Sequence, residues 1–145
     1  MDSIQQVVFA NGLQPADVIV LRKKILGMVN HYAVFLGWGD DAFPVFAANY
    51  NSGTQFISRL ELEKFLHELE PQKIERFIGS EIERQNAVRR GLSEIGKNDY
   101  DFFLNNCEHY KNFVQTGKKF SKQSEDAGKA ILVASLIVVL FRIFR

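Results

Sequence analysis

The stretch "NHYAVFLGWGDDAFPVFAANYN", residues 30–51, constrains the chain more than any other. Along an extended backbone His31, Ala33 and Phe35 fall on one side, and Tyr32, Val34 and Leu36 on the other. The Gly-Asp region that follows is turn chemistry, and "PVFAANY" resumes a strand pattern. The segment therefore reads as a hairpin with a loop longer than the tight two-residue type. Asp40 and Asp41 read as turn formers.

Other segments fit around this hairpin. "ADVIVLRKK" (16–24) is a β-branched run closed by charge, and "TQFIS" (54–58) is a further short strand. The period then changes. Leu60, Leu62, Phe65, Leu66 and Leu69 share one face of a helix that Pro71 should end, and "KIERFIG" (73–79) returns as a strand. Ser80 and Glu83 form a capping box ahead of a helix over 80–96, with Gly96 suited to its left-handed end. "NNCEHYKNFVQTG" (105–117) is the last helix of the globular part. The expected class is α+β, a small antiparallel sheet packed on helices. With 46% hydrophobic residues and 13 Phe among 145, the chain can build one core without metals or disulfides.

Formal charge is +1, so no global field draws nucleic acid. One Cys and no disulfide framework fit a reducing compartment, and the first residues lack the basic and apolar regions of a signal peptide. The end of the chain differs. Residues 130–141 carry no charge, and Lys129, Arg142 and Arg145 bracket an apolar run. The 15 residues from Ala130 to Phe144 make about 22 Å of helix, against a bilayer core of about 30 Å. Spanning then needs Lys129 and Arg142 to snorkel. The expected layout is a domain over 1–120, a polar linker over 121–129 and a hydrophobic membrane-anchoring tail over 130–145. A buried core helix is the alternative for the tail.

Chemistry centres on "NNCEHY" (105–110), which holds the single thiol. A lone Cys is either a small buried hydrophobe or, at a helix N-terminus with a base in reach, a nucleophile. Asn105 or Asn106 is a suitable N-cap, which puts Cys107 in the first turn. Three histidines compete to serve it. His109 is two residues on, and such side chains point away from each other on a helix. His67 sits among charges on a surface-type helix. His31 enters from the sheet, either as a base or as a core histidine satisfied by backbone. No close pair of metal ligands is present, so neither metal nor cofactor is expected.

Together these segments resemble the lecithin:retinol acyltransferase family, which includes the small phospholipase A/acyltransferases. "NNCEHY" is similar to its N-C-E-H-F signature, and "NHYAVFLGWGD" to its strand motif. "LQPADVIVL" resembles its opening strand with Ala16 where Gly is usual, and residues 88–123 follow the family's helix, N-C segment and trailing S-x-Q. The resemblance covers roughly residues 14 to 123. It implies a permuted papain-like (NlpC-type) fold and a membrane-associated thiol acyltransferase or phospholipase A. Cys107 would attack a glycerophospholipid ester, His31 would act as general base and then acid, and backbone N–H groups at the helix start would hold the oxyanion. Water, an amine or an alcohol would take the acyl group. The family places a second His on the following strand. Phe43, or Phe46 and Ala47 with a longer turn, occupy that slot, which makes Asn49 the candidate third member.

The implied partners are a glycerophospholipid and, through the tail, the cytoplasmic face of a membrane. The missing second His motivates the alternative, a catalytically weak or inactive membrane-tethered interaction module.

Overall fold

The computed structural model describes residues 2–23, 30–98, 106–122, 125–126 and 129. Its elements are α1 (Ser3–Ala10), β1 (Val18–Lys23), β2 (Asn30–Trp38), β3 (Pro44–Tyr50), β4 (Gly53–Phe56), α2 (Arg59–Glu68), β5 (Leu69–Glu75), α3 (Glu81–Ser93) and α4 (Cys107–Thr116). The five strands form one sheet in the order β4-β3-β2-β1-β5, with every neighbouring pair antiparallel. This is the expected α+β class. The apolar run over 130–145 lies outside the described residues. Among those described, no helix is long and apolar enough to cross a membrane.

Both faces of the sheet are covered, which is why its strands read as nearly continuous apolar runs. Ile4 and Val8 of α1 and Leu62 of α2 pack on Ile19, Leu21, Ala33, Phe35, Phe46 and Ala48. On the opposite face Ala87 of α3 and Cys107, Tyr110 and Val114 of α4 pack on Val18, Val20, Tyr32, Val34, Leu36 and Ala47. The two alternating sets of β2 thus enter two different cores.

Two elements differ from the expectations. Residues 3–10 form a helix that the expected layout lacks, although its local signal is present. Asp2 accepts the Gln5 N–H (2.8 Å) and the Gln5 side chain accepts that of Asp2 (3.0 Å), a capping box. The return strand begins at Leu69, so Pro71 lies within β5 and does not simply follow a helix. An edge strand tolerates proline because its outward N–H needs no partner, and the β1–β5 register shifts beside it, between Val20 and Leu21. Other punctuation is as expected. Ser80 and Glu83 cap α3, and Gly117 ends α4 with φ 75°. Gly96 has φ 86° but lies two residues beyond the α3 C-cap, Glu94. In the β2–β3 loop Asp41 accepts the Phe43 N–H (3.2 Å).

Gln14–Asp17 form a turn, with Asp17 N–H donating to Gln14 O (3.0 Å), Pro15 second and Ala16 third at φ 71°. That is type II chemistry, in which glycine is usual at the third position. Ala16 therefore carries about 1–2 kcal/mol of backbone strain.

The β3–β4 turn is docked on the loop after α3. Thr54 N–H donates to Lys97 O (2.9 Å), and Gly96 N–H donates to Thr54 O (2.8 Å). Gly53 in that turn has φ 108°, and a Cβ there would collide with Lys97 O. Gly53→Ala should therefore cost about 2–4 kcal/mol, read as a lower urea midpoint at unchanged m.

Candidate active site

α4 is fixed at both ends. At its start Asn106 Oδ1 accepts the N–H groups of Glu108 (2.9 Å) and His109 (3.1 Å), and Asn106 N–H donates to His109 Nδ1 (3.1 Å). Asn106 is the N-cap and Cys107 the first helical residue. At its end Arg90 donates to the carbonyls of Phe113 and Val114, from Nε at 3.1 Å and from Nη2 to Val114 at 2.7 Å. Between them the Tyr110 hydroxyl donates to Gly91 O (3.2 Å). Gly91 lets α3 approach both the sheet and α4, since a Cβ there would meet Leu36 of β2 at 2.9 Å and Val114 of α4 at 3.3 Å.

His109 is buried and its ring caps the helix, in keeping with its expected exclusion as the partner of Cys107. The His67 side chain lies outside the described residues. Ser121, in the trailing S-x-Q, is also buried. Its hydroxyl donates to Glu108 Oε2 (2.6 Å) and accepts from Asn106 Nδ2 (3.3 Å), tying the segment after α4 to the helix start. Sequence reasoning gave this Ser no role. The signal was its place in a motif.

The sheet opens where α4 begins. Pairing of β2 with β3 runs from Trp38↔Pro44 to Val34↔Ala47. Beyond it His31, Tyr32 and Ala33 remain paired with β1, and Ala48, Asn49 and Tyr50 with β4. A cavity is lined by these six residues together with Leu21, Ile57, Phe65 and Cys107. Cys107, His31 and Asn49 thus share one cavity, although 76 residues separate the first two.

They reach it from different sides. The His31 ring stacks on Phe65 of α2 (centroids 6.3 Å apart), and Tyr50 stacks on the same Phe65 (6.4 Å). Cys107 packs on Tyr32 and Val34, on the α4 face. Asn49 is buried, and by alternation it shares that face with Ala47. Its Oδ1 accepts the Thr54 hydroxyl (3.1 Å), and an amide oxygen has a second lone pair. Ala47 is fully buried against Val34. Phe65 and Tyr50 were not anticipated as walls, because helical and strand periodicity identify a buried face and not the cavity it borders.

The cavity offers only about 10 Å³ to the centre of a water-sized molecule, room for about one water. Such enclosure raises the Cys107 thiol to about 11, chiefly by burial and further by the Glu108 carboxylate; backbone N–H groups of Tyr32, Cys107 and Glu108 act in the opposite sense. The Cys107 thiol is therefore neutral at pH 7. Alkylation of Cys107 by iodoacetamide should be slow at pH 7.5 and should rise steeply only toward pH 11, well above the ordinary thiol value of about 8.5. A rate already on a plateau at pH 6 would show a preformed thiolate instead. The linkage to stability follows the same sign. A raised folded pKa means that the contribution is complete below about pH 8.5 and is lost as pH climbs toward 11.

Among the described residues no group of three or more His, Cys, Asp and Glu is arranged to hold a metal ion. A scan of family models matches residues 11–120 to lecithin retinol acyltransferase. The chain belongs to the lecithin retinol acyltransferase family. The matched span contains Cys107, His31 and Asn49, and it ends just before Ser121. No curated protein and no solved structure matches the chain. Membership in the lecithin retinol acyltransferase family points to acyltransferase and phospholipase chemistry on lipid substrates.

Proposed function

We propose that the protein is a thiol acyltransferase or phospholipase A acting on glycerophospholipids, with Cys107 as nucleophile. The observation that carries this reading is the single cavity shared by Cys107, His31 and Asn49 in a chain of this family. A neutral thiol needs its proton removed as it reacts, so His31 serves as general base and not as half of a standing ion pair. The sulfur bonds to the ester carbonyl carbon and the proton passes to the imidazole. The C–O bond then breaks, and the imidazolium returns the proton to the departing lysophospholipid oxygen. An acyl-Cys107 thioester remains, and water, an amine or an alcohol releases it. N–H groups at the start of α4 stabilise the oxyanion. Asn49 is the third member, orienting His31.

The apolar walls Leu21, Ala33, Ala48, Ile57 and Phe65 suit an acyl chain once the cavity opens. A nucleophile helix against an antiparallel sheet that supplies the base is in keeping with a permuted papain-like fold. The tail over 130–145 is read as attaching the domain to the cytoplasmic face of a membrane, where substrate is concentrated. The test is to incubate the full chain with phosphatidylcholine vesicles and weigh the intact protein. An acyl adduct that disappears in Cys107→Ser is expected. No adduct and no released fatty acid, with wild type and variant alike, would reject the reading.

A second reading has its own support. A thiol raised by burial, a His31 ring stacked away on Phe65 and the lack of a His anywhere in residues 43–50 also suit a weakly active or inactive membrane-tethered interaction module. The same mass measurement separates the two.

A further inference from the structure

The Tyr50 side chain occupies the cavity wall in an unusual state. Its hydroxyl oxygen is buried and, among the described residues, has no hydrogen-bond partner. Buried polar groups are nearly always paired, and exceptions concentrate where chemistry is done. The Glu61 carboxylate is close enough to act on the hydroxyl but forms no hydrogen bond of ordinary geometry with it.

Three further observations define what this hydroxyl can offer. It belongs to the same cavity as the thiol, close enough to feel a charge placed on the sulfur. Burial first, then Glu61, drive its pKa far above neutral, so the group stays protonated and remains a donor. Its ring is held against Phe65, itself against His31, on the side of the cavity away from α4. An ester carbonyl attacked by Cys107 would then meet sulfur from one side and the hydroxyl from the other.

We infer that Tyr50 is a further catalytic residue, whose hydroxyl donates to the oxygen of the ester carbonyl as negative charge develops on it. The inference rests on the acyl-transfer reading above. The donor takes no part in the proton transfers. It keeps its proton, and the hydrogen bond forms as the C=O bond becomes C–O⁻ and is relinquished when the carbonyl re-forms. A donor that no described residue satisfies at rest, and that pairs with the oxyanion in the transition state, acts on kcat and not on ground-state binding.

Tyr50→Phe removes only the oxygen. With phosphatidylcholine vesicles and the full chain, acylation of Cys107 should slow about 10²-fold at nearly unchanged KM. The melting temperature should stay level or rise, since the oxygen removed was unpaired. Glu61→Gln should acylate within about threefold of wild type. The inference is overturned by Tyr50→Phe acylating at the wild-type rate, or losing only in KM. It is equally overturned by Glu61→Gln reproducing the loss, since the hydroxyl would then act through Glu61. Wild type that never forms an adduct rejects the acyl-transfer reading itself, and this inference with it. Wild type that acylates while Tyr50→Phe does so equally well rejects the inference alone.

Discussion

Cys107→Ala is expected to reduce fatty-acid release from phosphatidylcholine vesicles by at least ~10⁴-fold, to the level of buffer. The loss should exceed that of any other single change because the bond-forming atom itself is removed. In the absence of sulfur no thioester forms, and the remaining groups can only polarise the ester for water. Cys107→Ser should fare little better. A hydroxyl in this cavity faces the same burial that already raises the thiol to about 11, and it begins from a far weaker acid. His31→Ala should approach the loss of Cys107→Ala, because a neutral thiol depends on a base to react. The measurement is initial rate on vesicles, with near-ultraviolet circular dichroism to establish that each variant is folded. Retention of activity by Cys107→Ala would remove the protein from thiol chemistry altogether.

Asp17→Ala is expected to cost about 3–5 kcal/mol of stability, the largest folding effect predicted here. Asp17 is 1% exposed and serves as the junction of three segments. One oxygen accepts the Phe77 N–H (2.9 Å), beyond β5, and stands 3.5 Å from Arg84 of α3. The other accepts Arg76 (2.8 Å) and the Gln14 N–H (3.0 Å). Removing the carboxylate leaves two backbone donors without this acceptor and a mostly buried Arg84 without this counter-charge. Asn cannot replace it well, since its amide turns a donor toward one of these donors. Asp17→Asn should therefore recover less than half of the loss. Urea denaturation of the three proteins decides it. A change below about 1 kcal/mol for Asp17→Ala would mean that the ion pairs contribute little net stability, as buried pairs sometimes do.

Much of the site was legible because its parts obey local rules. The exclusion of His109 followed from helical geometry, and the structure gives that ring a capping bond to Asn106. The N-cap and the position of Cys107 in the first turn were readable for the same reason. Ser80, Glu83 and Gly117 likewise announce helix ends through groups a few residues apart. The α1 capping box, Asp2 with Gln5, is equally local. Pro71 misled for a different reason. Its effect depends on whether its strand lies at an edge, which is a property of the whole sheet.

By itself the sequence determined most of the element types, the α+β class and the capped thiol at the start of a helix. These rest on periodicity and short-range hydrogen bonding, which a linear pattern encodes. Only the tertiary structure decided that both sheet faces are buried, that β2 and β3 part beyond Val34↔Ala47, and that His31 stacks on Phe65 while Cys107 enters from the other side. It also decided that Tyr50 lines the same cavity with a buried hydroxyl that has no hydrogen-bond partner among the described residues. These outcomes depend on how separate elements pack and on which groups their contacts leave unsatisfied, and no spacing along one chain carries that information.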